Sequence, residues 1–138
     1  MQGNYTILEH TADLGIEITS PTLDGLYEIA GQALFDLITP KRSVPRIRHW
    51  IKTVGEDRET LLANFMNDML FQFDLHGMLF RIVKVWSLTS RSLTAETWCE
   101  KLDPETDPVE RVVKAVTLHN LKVEENAAQW RGVVFLDL

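Results

Sequence analysis

The chain has 138 residues and a net charge of −6, from 20 acidic and 14 basic side chains. A chain of this length is read as one domain, 1–138, with a core of its own. With 45% hydrophobic and 25% charged residues, neither a disordered nor a membrane-embedded class fits. The acidic balance argues against direct RNA binding as the main function, because binding to phosphates draws on a basic surplus.

No apolar run approaches the roughly 20 residues that span a bilayer, and "MQGNYTILEH" lacks a basic region followed by an apolar one. A soluble, cytoplasmic protein is the expectation. Cys99 is the single cysteine, so it has no partner within the chain, and a small buried hydrophobe in a reducing compartment is expected.

Tyr5 to Leu8 and Gly15 to Thr19 read as strands, with Ile16 and Ile18 alternating against Glu17 and Thr19. Between them, "EHTAD" interrupts the extended pattern with His10, Thr11 and Asp13. From Leu23 the period changes: Leu23, Leu26, Ala30, Ala33, Leu34 and Leu37 give one apolar face of a helix. Ser20 or Thr22 can cap its start, and Thr39-Pro40 stops it. "RIRHWIKTV", residues 46–54, reads as a strand. Its basic residues, with Lys41 and Arg42 before them, mark a solvated edge strand more simply than an RNA grip.

A second helix is expected from about Arg58 to Asp74, with Leu61, Leu62, Phe65, Met66, Met69, Leu70 and Phe73 forming a core-facing stripe. Gly77 is placed to end it in a left-handed conformation. The remainder reads as β. "MLFRIVKVWSL" and "SLTAETWCE" flank a turn at Thr89 to Ser92. "KLDPETDPVE" is a loop. "RVVKAVTLHNLKV" and "QWRGVVFLDL" are a last pair separated by "EENAA". The order predicts an α+β fold: a two-layer sandwich of largely antiparallel or mixed sheet with two helices packed on one face.

There is no Gly-rich phosphate loop, nucleophile elbow, HExxH or CxxC. His49 and His76 have no acidic or cysteine partner at metal-ligand spacing and read as surface or capping residues. Polar groups interrupt strand material in three places: at His10 and Asp13, at Lys114, Thr117 and His119, and at Asp137 in the apolar tail "VVFLDL". If the last strand lay beside the first, Asp13, Asp137 and the carboxylate following Leu138 would converge. Three carboxylates gather only around a cation, and a hard divalent ion such as Ca²⁺, Mg²⁺ or Mn²⁺ answers that need. From spacing alone the simpler reading keeps Asp13 as an Asx-turn residue and Asp137 as a solvated tail residue.

At these residues the sequence resembles the archease family, over essentially the whole chain. The matching pieces are "EHTADLGIEI", "TLDGLYEIAGQALFDLI", "GEDRETLLANFMNDMLFQFD", "VKAVTLH" and "WRGVVFLDL", in that order. The resemblance implies a non-catalytic activator of the RtcB-type tRNA-splicing RNA ligase, which would promote GTP-dependent guanylylation of the ligase histidine and multiple turnover. It also implies a metal site at Asp13, Asp137 and Leu138, the last through a backbone or terminal oxygen. Ca²⁺ is the expected ion, with Mg²⁺ or Mn²⁺ as alternatives. His10, Lys114, Thr117 and His119 would form a supporting polar shell. The ligase is the expected partner, and RNA is reached through it. Two other readings stay open: a general chaperone or RNA-binding modulator, and a metal-dependent hydrolase using the same carboxylates with His119 as base.

Overall fold

The computed structural model describes residues 3–9, 13–40 and 44–138. Its elements run β1 (Asn4–Glu9), β2 (Asp13–Ser20), α1 (Leu23–Ile38), β3 (Ile47–Val54), α2 (Arg58–His76), β4 (Met78–Leu88), β5 (Ser92–Lys101), β6 (Ala115–Asn126) and β7 (Gln129–Asp137). The α+β class holds. Every strand pairing is antiparallel, and the strands divide between two sheets, one ordered β1-β2-β7-β6 and the other β3-β5-β4.

Both helices begin and end on local chemistry. Thr22 caps α1 by accepting the Gly25 N–H at 3.0 Å, and Thr39, extended at φ −150°, ends it before Pro40. Asp57 caps α2 by accepting the Thr60 N–H at 2.7 Å. That hydrogen bond holds its carboxyl below the usual range. Gly77, at φ 69°, closes the other end and donates its N–H to the Phe73 carbonyl.

Most of each expected stripe is buried: Leu26, Ala30, Ala33, Leu34 and Leu37 on α1, and Leu61, Leu62, Phe65, Met66, Met69 and Leu70 on α2, while Leu23 and Phe73 are partly buried against the core. They pack with Ile16 and Ile18 of β2 and Leu79 and Phe80 of β4 in one apolar cluster that includes the buried Cys99. Each helix touches both sheets, α1 against β2 and β4, α2 against β6 and β3.

Helix side chains also complete the hydrogen bonding of two edge strands. Gln32 and Glu28 of α1 accept the N–H groups of Val83 and Val85, at 3.1 and 2.8 Å. Burial raises the Glu28 pKa. Asn67 of α2 treats β6 as a neighbouring strand would. Its amide donates to the Val116 carbonyl at 2.9 Å and accepts the Val116 N–H at 2.8 Å. Exposed strand edges invite unwanted pairing, and these contacts close them.

Three local differences from the sequence expectation have physical causes. Arg111 to Lys114 do not open β6. The Glu110 and Arg111 N–H groups instead donate to Ile38 at the end of α1, at 2.7 and 3.4 Å. "EEN" belongs to β6, and the turn contracts to Ala127 and Ala128, both left-handed at φ 49° and 65°. Two central residues at positive φ make the hairpin turn that suits strand twist, although glycine or asparagine usually supplies it. Within β6, four residues from Leu118 to Leu121 face Val134 alone, and Asn120 takes φ 56° in this bulge. No helix among the described residues is long and apolar enough to cross a membrane.

Candidate metal centre

The pairing of β2 with β7 brings the two expected carboxylates together. Asp13 is the register partner of Asp137, and Ala115 of β6 is the partner of Asp137 on the other side. The Lys114 N–H donates to the Asp137 carbonyl at 2.8 Å, so Asp137 is held by main chain from both flanks. Directly opposed residues of an antiparallel pair point to one face, with Cβ atoms about 4.5–5.5 Å apart. Asp13 and Asp137 therefore share the face opposite the core residues Leu14 and Leu136.

One row further along that face lie Gly15, Phe135 and Thr117. A Cβ on Gly15 would stand 2.8 Å from the Phe135 ring and 3.0 Å from Leu8, so glycine is what lets the buried ring lie there. The carboxylate pair thus has an apolar side chain against one flank.

Further still, Glu17 and Glu124 share a cation of their own. Arg131 reaches Glu17 at 2.6 Å and Glu124 at 2.9 Å, and these hydrogen bonds raise its pKa. No lysine or arginine among the described residues forms such a pair with Asp13 or Asp137. Like charges directly opposite on a sheet repel. The acids on one end of this face share a cation, and among the described residues those on the other end have none.

The donor set fits a hard ion. Asp13 and Asp137 could supply carboxylate oxygens, and the exposed Leu138, next along, could add a main-chain oxygen. Oxygen donors suit Ca²⁺, Mg²⁺ or Mn²⁺, whereas structural zinc draws on cysteine and histidine. No group of three or more His, Cys, Asp and Glu side chains occurs at metal-binding separation among the described residues. Among the described residues, two side chains plus main chain are what the site could offer.

The supporting residues divide. Thr117 shares the carboxylates' face and accepts the His119 N–H at 3.3 Å. His119 lies in the β6 bulge and is exposed, and Lys114 is exposed just before β6. His10 lies outside the described residues, as do Lys41 and Arg42. Asn67 and Gly15 were missed as contributors. Asn67 fixes Val116, whose neighbour Ala115 is paired to Asp137. Its signal was a polar amide within the apolar stripe of α2.

A small α+β protein with opposed carboxylates on adjoining β2 and β7 is the class that fold and site define. The model of the Archease protein family (MTH1598/TM1083) matches residues 5–138. The chain belongs to the archease family. Among its relatives, the archease of Pyrococcus abyssi is 37% identical over 122 residues, 85% of each chain. That of Methanopyrus kandleri is 34% identical over 139 residues, covering 95% of this chain and 96% of its own. The solution structure of Methanobacterium thermoautotrophicum protein 1598 superposes with a TM-score of 0.76 at 27% identity, covering 97% of this chain and 98% of that one. A Thermotoga maritima archease described as a possible chaperone shares the fold, at a TM-score of 0.62 and 20% identity over 95% of this chain and 94% of its own.

Proposed function

We propose that this protein is a non-catalytic, cytoplasmic activator of an RtcB-type RNA ligase, acting through a divalent cation held by Asp13, Asp137 and a main-chain oxygen of Leu138. The observation that carries the reading is the direct opposition of Asp13 and Asp137 with no basic partner among the described residues. Family membership supports it. Asp13, Asp137 and Leu138 would hold the ion, calcium in this reading and otherwise magnesium or manganese, and it would supply positive charge to offset the two carboxylates.

The chain's own residues do the positioning. Main-chain hydrogen bonds from both neighbours keep Asp137 in register, Gly15 and Phe135 shield one flank, and Asn67 braces β6 behind the site. A surface built this way presents acidic oxygens rigidly to a basic ligase, in which guanylylation of the active-site histidine by GTP is the promoted step.

The test measures guanylylation of a cognate ligase with GTP and Mn²⁺, with no addition, with the protein, and with Asp13→Ala or Asp137→Ala. Stimulation by the unaltered protein and not by folded variants is expected. Equal stimulation by either variant would remove the site. No stimulation by the unaltered protein would remove the role.

A further inference from the structure

Three of the four tryptophans gather on the outer face of the β3-β5-β4 sheet. Register sets Arg48, Trp98 and Ile82 in one row and Trp50, Glu96 and Lys84 in the next. A second bulge, between Val85 and Ser87, brings in Trp86. Trp50 and Trp86 are 48% and 58% exposed, and their rings lie 6.4 Å apart. Exposed aromatic surface on this scale is uncommon without a ligand or partner to cover it.

The face is prepared rather than loose. Glu96, buried at its centre, accepts the Trp86 indole N–H at 3.0 Å and an Arg48 N–H at 3.4 Å, fixing a ring and a guanidinium at once. Lys84 sits 4.3 Å from the centre of the Trp86 ring, and Lys52 extends the cationic row along β3. Three cations stand against one carboxylate here, an excess of two positive charges on a protein of net charge −6. Stackable rings interleaved with positive charge complement one kind of polymer: a polyanion whose unpaired bases are free to stack.

We propose that this face binds single-stranded RNA directly. The choice of RNA over DNA rests on the ligase-activator reading. The platform itself rests on the tryptophans and their charges. It lies on a different sheet from Asp13 and Asp137, so the two surfaces can be occupied separately. A strand laid across β3, β5 and β4 would stack bases on Trp50 and Trp86 and place phosphates near Arg48, Lys52 and Lys84. Recognition by stacking carries little sequence preference.

The experiment titrates the full chain, without ligase, with an unstructured oligouridylate of about ten nucleotides and reads tryptophan fluorescence. Quenching is expected, with a log–log salt slope of about −2 from three phosphate contacts. Trp50→Ala with Trp86→Ala should lower affinity on the order of tenfold or more, and Trp50→Phe should keep most of it. Lys52→Glu with Lys84→Glu should weaken binding and flatten the slope, which gives a readout if the tryptophan pair impairs folding.

No quenching, binding indifferent to both substitution sets, or tighter binding of the matching DNA would overturn the proposal. So would a dimer in sedimentation that the tryptophan substitutions dissociate, since a second copy would then occupy the face. Transfer of GMP from GTP to a histidine has no RNA among its reactants, so the tryptophan variants should still stimulate it. Loss of RNA binding and loss of ligase activation are therefore separate results.

Discussion

Replacing Asp13 by asparagine should stabilise the metal-free protein while abolishing its response to calcium. Asn keeps the size of the side chain and removes one of two opposed charges. At a separation of about 5 Å the repulsion is about 1 kcal/mol in bulk-water dielectric and about 3 kcal/mol near a protein surface. Asp13 is half-buried and Asp137 is exposed, which favours the lower figure. A gain of about 1 kcal/mol corresponds to about 3 °C in midpoint for a chain of this size. Urea unfolding in chelator should show it at low salt. It should shrink in about 1 M salt, where the screening length falls to about 3 Å. With calcium at about a hundredfold over its dissociation constant, the unaltered protein should gain about 2.7 kcal/mol and the variant far less. A chelated variant less stable than its parent, or an equal calcium response in both, would refute the reasoning.

Asn67→Ala should cost about 2–4 kcal/mol in denaturant unfolding, because it strips a buried donor and acceptor of Val116 of their partners. Asn67→Asp, which keeps the acceptor alone, should lie between. Ala127→Asn with Ala128→Gly should raise stability by about 1 kcal/mol, since both alanines hold the left-handed conformation that these residues adopt more readily. An unchanged denaturation midpoint would mean that the turn relaxes. Glu28→Gln should stabilise the protein at neutral pH. The raised folded pKa of Glu28 means that folding penalises its charged form, and the glutamine can still accept the Val85 N–H as Gln32 accepts that of Val83. That penalty is absent below the unfolded carboxylate value, grows as pH rises through the folded one, and is full above it. The advantage should therefore fade as the solution is acidified, and an advantage independent of pH would contradict the assigned cause.

What the sequence disclosed followed the range of the interactions involved. Both helices were readable because Leu26, Ala30 and Leu34, or Leu62, Met66 and Met69, repeat within one turn, and their caps lie beside them. The hairpin of β4 and β5 was readable for the same reason. Spacing alone made Asp13 and Asp137 readable as separate polar interruptions, and it was the archease resemblance that joined them. What unites them is register between β2 and β7, and no periodicity encodes it. The β6 bulge and its late start depend on pairing with β7 and on carbonyls at the end of α1. The turn at Ala127 and Ala128 carries none of the glycine or asparagine that would have announced it. The basic stretch from Arg46 to Trp50 was read as an edge strand, and β3 is one. Trp86 and Trp98 become its neighbours only once β5 lies between β3 and β4.

The adjacency of β2 and β7 also sets a timetable. During synthesis β1 and β2 leave the ribosome before the other elements, yet β2 acquires its second neighbour only after everything between Ser20 and Trp130 has been made. At roughly 5–20 residues per second that is an interval of seconds, during which Ile16 and Ile18 have a hairpin partner but an open edge. The β4–β5 hairpin needs no such delay, since its strands follow one another directly. Translation therefore yields a chain whose middle can organise first and whose first hairpin waits for its last.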